Sequence, residues 1–132
     1  MFVKISATFG SVLMMGFGVW HFTVPKVWKW YSYIDKAATE LVVAVRATNV
    51  FFSLSLVLIG LANLIFIYGV KNRESMLVMF SISAFMWAVR CVMQIVYPQG
   101  SINPILQYGM LSAFIIIFAS FVAPLISMIA SK

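Results

Sequence analysis

Four apolar stretches, residues 5–22, 42–70, 75–97 and 104–130, occupy most of a 132-residue chain and leave only short connections between them. A helix needs about 20 mostly apolar residues to cross the hydrocarbon core of a bilayer, and each stretch is of that order. In lipid every backbone N–H and C=O must find its partner within the chain, so such stretches become helices and not open strands. The expected fold is all-α: an integral membrane four-helix bundle, one domain over residues 1–132. A mean hydropathy of +1.05 and a charged fraction of 9% agree, because a soluble domain of this size cannot bury so much apolar side chain. No length remains for a separate catalytic domain, and any chemistry belongs within the bundle or at its lip.

The first stretch follows Met1-Phe2-Val3-Lys4, as a secretory signal would. It lacks a small-residue cleavage site after its apolar core and leaves through Trp20-His21-Phe22, so it reads as a retained span. With four spans both termini share one side of the membrane. Lys4, Lys71, Arg73 and Lys132 fall on that side; Lys26, Lys29, Lys36 and Arg46 fall on the other, with Arg90 near the membrane. That balance is too even for the positive-inside rule to orient the chain. The net charge of +6 favours anionic headgroups on either side. Nucleic acid is a poor partner, because the basic residues are spread along short loops and form no contiguous patch.

A single cysteine, Cys91, excludes an intramolecular disulfide and a Cys-x-x-Cys redox pair. A single histidine, His21, excludes paired-histidine haem ligation. With no carboxylate pair, metal-ligand cluster or nucleophile–base pair in the spans, an enzyme is the least supported class, and no cofactor or catalytic residue is expected.

Punctuation in the connections sharpens the frame. Lys71-Asn72-Arg73-Glu74 reads as a charged turn, with Glu74 suited to the first turn of the next helix. Asn103-Pro104 reads as an N-cap followed by proline at the first helical position. Pro98 stops the third span, and Pro124 is expected to kink the fourth. The longest connection, residues 23–40, sets Trp28, Trp30, Tyr31 and Tyr33 among lysines. That composition suits an interfacial segment, acting as an anchor or a lid.

The polar residues gather on the face away from the termini. His21 closes the first span, Arg46 and Asn49 open the second, Arg90 and Gln94 end the third, and Gln107 opens the fourth. Helical spacing puts Arg46, Asn49 and Ser53 on one side of their helix, and Ser83, Arg90, Gln94 and Tyr97 on one side of theirs. The stripe above Gly60, and that through Gly10, Met14, Gly18 and His21, offer close helix approach. The acidic residues are only Asp35, Glu40 and Glu74, and the last belongs to the terminal side. Asp35 or Glu40 can fold over Arg46, leaving Arg90 without a carboxylate. A pocket built from these residues is electropositive and suits a carboxylate, a phosphate or a polarised carbonyl. Against this stands the plainer account, in which the arginines snorkel to lipid phosphates and the amides tie helices together.

The run Gly18-Val19-Trp20-His21-Phe22-Thr23-Val24-Pro25-Lys26 resembles the Gly-x-x-His-Phe-x-x-Pro pattern of the DoxX-like family of small four-span membrane proteins. The motif covers under a tenth of the chain, and span count and overall length also agree. Trp87-Ala88-Val89-Arg90 and Tyr97-Pro98 do not map onto that family. The resemblance implies a four-helix bundle in a bacterial cytoplasmic membrane, an accessory role beside redox or stress-response proteins, and contact with quinone or lipid. It carries over Gly18, His21, Phe22 and Pro25 and no catalytic role. The expected function is a membrane accessory protein binding an amphipathic or anionic molecule through His21, Arg46, Asn49, Arg90, Gln94 and Gln107. The alternatives are a structural subunit of a larger membrane complex, or an oligomeric small transporter.

Overall fold

The computed structural model describes residues 1–131. Lys132, expected beside the other terminal-side charges, lies outside them. Helix α1 (Phe2–His21) leads into a short α2 (Val24–Val27) and a 3-10 turn (Trp30–Tyr33). Then follow α3 (Thr39–Ile65), extended by a π turn (Phe66–Val70), and α4 (Arg73–Val96) and α5 (Pro104–Ala130). Four of these helices are long and apolar enough to cross a membrane, and they form an all-α bundle.

The helices start earlier than the apolar stretches. α1, α3 and α4 begin at Phe2, Thr39 and Arg73, because a helix entering the interface needs no apolar side chain: water or a cap satisfies its first N–H groups. Glu40 and Glu74 occupy first turns, where the helix dipole favours negative charge. Asn72 caps α4, its side chain accepting from Ser75 N at 2.9 Å. Asn103 caps α5 as expected, accepting from Ile105 N at 3.0 Å ahead of Pro104. The π turn was not expected. It closes α3 through Lys71 N donating to Phe66 O at 2.9 Å, with Lys71 left-handed at φ 54°.

Long-range hydrogen bonds fix which ends lie together. Thr8 of α1 meets Tyr68 after α3 at 2.9 Å, and Arg73 Nη2 donates to Met128 O of α5 at 2.6 Å. The start of α1, the end of α3, the start of α4 and the end of α5 therefore share one face. His21, Asn49, Gln94 and the α4–α5 loop occupy the other.

Packing follows the small-residue stripes. The buried face of α1 is Ala7, Gly10, Ser11, Met14, Gly18 and His21; that of α3 is Asn49, Ser53, Leu56, Gly60 and Asn63. A Cβ on Gly18 would lie 2.8 Å from Ser53 O, and one on Gly10 would lie 2.8 Å from Ser120 Cβ. Both glycines let α1 approach α3 and α5 more closely than any other residue allows. Phe17, Trp87 and Phe114 fill the centre, with rings 5.2–5.6 Å apart at inclined angles.

α5 runs as one helix through the buried Pro124. Proline has no N–H, so the carbonyl of Ser120 loses its intrahelical donor. Ser6 of α1 supplies the replacement, Oγ donating to Ser120 O at 3.0 Å. Interhelical hydrogen bonds in membranes average about 0.6 kcal/mol and reach about 1.7 kcal/mol. Ser6→Ala should therefore destabilise the bundle by about 1 kcal/mol in reversible unfolding from detergent, and by much less in a Pro124→Ala background, where the helix recovers its own donor. Equal costs in the two backgrounds would show that the two residues are uncoupled.

Candidate functional site

α1 packs along both α3 and α5, and α4 packs along α5, but α3 and α4 touch only sparingly. Their main tie is deep, where buried Asn63 donates through Nδ2 to Ser83 Oγ at 2.8 Å. Above that tie the two helices frame a groove of about 260 Å³ lined by Phe52, Leu56, Phe85, Met86, Trp87 and Arg90. Phe85 is 71% exposed, so the groove opens sideways toward lipid. Phe52, Arg90 and Met93 also line a second cavity of about 570 Å³ nearer the membrane surface, whose wall is otherwise Trp30, Leu41, Ala44 and Val45 with His21, Thr48, Asn49 and Gln99. Through these shared residues the two cavities adjoin, both mostly apolar, with the polar side chains His21, Asn49 and Gln99 on the wall of the outer one.

Each polar group has a local reason for its place. His21 ends α1 and is buried, its ring set edge-on to Phe52 at 4.7 Å and to Trp30 at 6.0 Å. Ser53 Oγ donates to Asn49 O at 2.7 Å and lies 3.5 Å from His21 Nδ1. Asn49 Nδ2 donates to His21 O at 3.3 Å, which satisfies a carbonyl that the helix end leaves free. Asn49 Oδ1 has no partner although the residue is 6% exposed. Trp87 Nε1 is likewise buried without one.

Arg90 is half-buried. Its guanidinium donates to Gln99 Oε1 at 2.5 Å and stacks 4.6 Å from the centre of the Phe114 ring. Neither partner is negative. Gln94, 1% exposed, binds both polar atoms of the Gln99 backbone, donating to its O at 2.9 Å and accepting from its N at 3.3 Å. It also reaches Gln107 O at 3.4 Å. Gln94 thus pins the α4–α5 loop, and the loop brings Gln99 to the cavity; Gln94 and Gln107, expected as ligand residues, are not on the cavity wall, and Gln107 offers only its backbone carbonyl to Gln94.

Arg46 corrects the expectation that both arginines share one pocket. It is exposed, and its guanidinium lies 5.5 Å from the centre of the Tyr31 ring, outside the cavity. The reason is where α1 stops. Asn49 is level with His21, the last residue of α1, so Arg46 stands about 4.5 Å further along α3, beyond its neighbour. Neither carboxylate pairs with it: Asp35 Oδ1 accepts from Ala37 N at 2.9 Å, and Glu40 lies in the first turn of α3.

The aromatic segment divides its work. Lys29, left-handed at φ 52°, turns the chain from α2 into the 3-10 turn. Trp30 covers the cavity over His21, whereas Trp28 packs on Trp20 at 6.1 Å. Tyr31 holds Arg46, and Tyr33 is 83% exposed. Gln99 and Phe52 are among the cavity residues that spacing does not point to, as are the apolar residues Leu41, Val45 and Met93. The one signal for Gln99 was its place after Pro98, in a loop short enough to fold back over the end of its own helix. Comparison of the chain with family models, with curated proteins and with solved structures finds no match.

Proposed function

We propose that this chain is a small multi-pass accessory protein that takes an amphipathic molecule from the bilayer into the space between α3 and α4. The observation that carries this reading is that an apolar, laterally open groove adjoins, across Phe52, Arg90 and Met93, an outer cavity whose polar side chains include His21, Asn49, Arg90 and Gln99. An amphiphile needs both parts in that order, tail inward and head toward the interface. Arg90 supplies a cation with no carboxylate beside it among the described residues, favouring an anionic or carbonyl-bearing head. A lipid or a quinone-like molecule meets these terms. Trp30 serves as the lid, with Gln94 holding the loop that presents Gln99. The DoxX-like resemblance of the first span is the ground for placing the chain in a bacterial cytoplasmic membrane, beside a partner protein.

Native mass spectrometry of protein extracted in mild detergent tests this reading. The expected spectrum contains the chain carrying an added mass in the lipid range. A bare monomer from several mild detergents would contradict it, and an added mass of protein size would favour the subunit role instead.

A further inference from the structure

We infer that Gln99 sets the charge of the amphiphile that is accepted: its amide orients Arg90 without neutralising it, and so reserves the cation for an oxyanion head, phosphate or carboxylate. This rests on the lateral-groove reading above and names its ligand class. Arg90 is the one permanent charge on the wall of either cavity. Among the described residues its guanidinium makes a single hydrogen bond, Nη2 donating to Gln99 Oε1 at 2.5 Å, which leaves its other N–H groups free. Because a guanidinium only donates, the amide must turn its oxygen toward it. Arg90 and Gln99 are both only partly buried, so a head that enters the outer cavity can reach the guanidinium.

The side chain at position 99 is placed by its backbone. Gln94, 1% exposed, holds both the N–H and the C=O of Gln99. That grip does not depend on which side chain the residue presents. Glutamate matches glutamine in length and shape, and here it would set a carboxylate oxygen where Oε1 lies, cancelling the charge from within the chain. The amide instead gives direction and leaves the full positive charge. In surroundings of low dielectric that charge attracts an anion far more strongly than it would in water. A neutral carbonyl head, such as a quinone's, offers Arg90 only what Gln99 already gives, a neutral oxygen. An oxyanion adds charge compensation and matches the planar fork of the remaining donors.

The test measures retention on the intact chain in detergent by native mass spectrometry, with two pairs of probes of matched tails, one member anionic and the other neutral. The pairs are phosphatidylglycerol against diacylglycerol, and a fatty acid, at a pH where it is ionised, against its methyl ester. The wild type should hold the anionic member of at least one pair roughly tenfold or more tightly, the difference carried by a hydrogen bond to a charged group. Which pair shows it tells a phosphate head from a carboxylate. Gln99→Glu should bring that ratio close to one, and Gln99→Met, which removes the hydrogen bond but leaves the charge, should keep most of it. A Gln99 that only clips the loop predicts the reverse, because the glutamate variant would clip Arg90 more firmly and the methionine variant would release it. A ratio that survives Gln99→Glu, or is lost in Gln99→Met, overturns the inference and leaves the amphiphile reading standing. The Gln99→Met arm keeps the test decisive if Gln99→Glu folds poorly. Equal retention of anionic and neutral members by the wild type also overturns the inference, and retention of neither overturns the lateral-groove reading itself.

Discussion

Arg90→Ala is expected to strip the bound amphiphile from the protein, weakening retention roughly ten- to a hundredfold, the range for removing a charged hydrogen-bond partner. Two losses combine. The head loses its cation, and Gln99 loses the guanidinium that anchors its side chain. Arg90→Lys should recover only part of the affinity, because an ammonium keeps the charge but neither forks nor stacks flat on Phe114. Arg46→Ala should leave retention unchanged, since that guanidinium lies on Tyr31 outside the cavity. Retention in mild detergent, measured for the three variants at matched concentration, separates these outcomes. Equal losses from Arg46→Ala and Arg90→Ala would mean that general charge, and not the cavity, recruits the ligand.

Gly18→Ala is expected to destabilise the bundle by about 1–3 kcal/mol, the usual cost of overpacking a tight contact. The new Cβ would meet Ser53 O at 2.8 Å, Leu56 Cβ at 2.9 Å and Val57 Cγ2 at 3.0 Å. A backbone oxygen, a Cβ fixed to the backbone and a methyl of a β-branched side chain have little room to yield. α1 and α3 would have to separate, and the separation falls one turn from the His21–Asn49 hydrogen bond. Ligand retention should therefore fall along with stability. Gly16→Ala, with nothing within 4 Å, is the matched control and should be as stable as the wild type or up to about 1 kcal/mol more so, since alanine suits a helix interior better than glycine. Reversible unfolding in detergent, read beside ligand retention, measures both effects. A Gly18→Ala protein as stable as Gly16→Ala would show that the α1–α3 contact is looser than described.

Much of this architecture is visible in residue spacing. The stripe of Gly10, Met14, Gly18 and His21 falls on one helical face because lipid offers no hydrophobic force between helices, so close approach must come from small side chains. It becomes the face that α1 buries. Asn103-Pro104 is equally legible, since a side-chain acceptor before a residue without an N–H is the local chemistry of a helix start. Arg46 shows where periodicity stops helping. Spacing places it near the line of Asn49 and Ser53, but the end of the neighbouring helix decides whether that line is covered, and only the tertiary structure contains that fact.

The splay of α3 from α4 is hidden for a related reason. Four apolar spans of similar composition do not say which two will fail to pack along their length. The Asn63–Ser83 tie joins residues 20 positions apart in sequence, with no shared periodic signal. Ser6 and Ser120 are also invisible as a pair, although Pro124 announces that some carbonyl one turn earlier must find a donor elsewhere. The left-handed lysines at 29 and 71 carry no compositional mark, because lysine has no preference for that conformation.

The central claim is that an amphiphile seats between α3 and α4 with its head at Arg90. The most direct test is photo-crosslinking in lipid nanodiscs with a phosphatidylglycerol carrying a photoreactive group in one acyl chain, followed by mapping of the labelled residues. The account predicts adducts concentrated on Phe52, Phe85, Met86 and Met93 along the groove, and reduced there by Arg90→Ala. Labelling spread evenly over the outward residues of the other helices, such as Val12 and Val19 of α1 and Ile115 and Ile126 of α5, would contradict it.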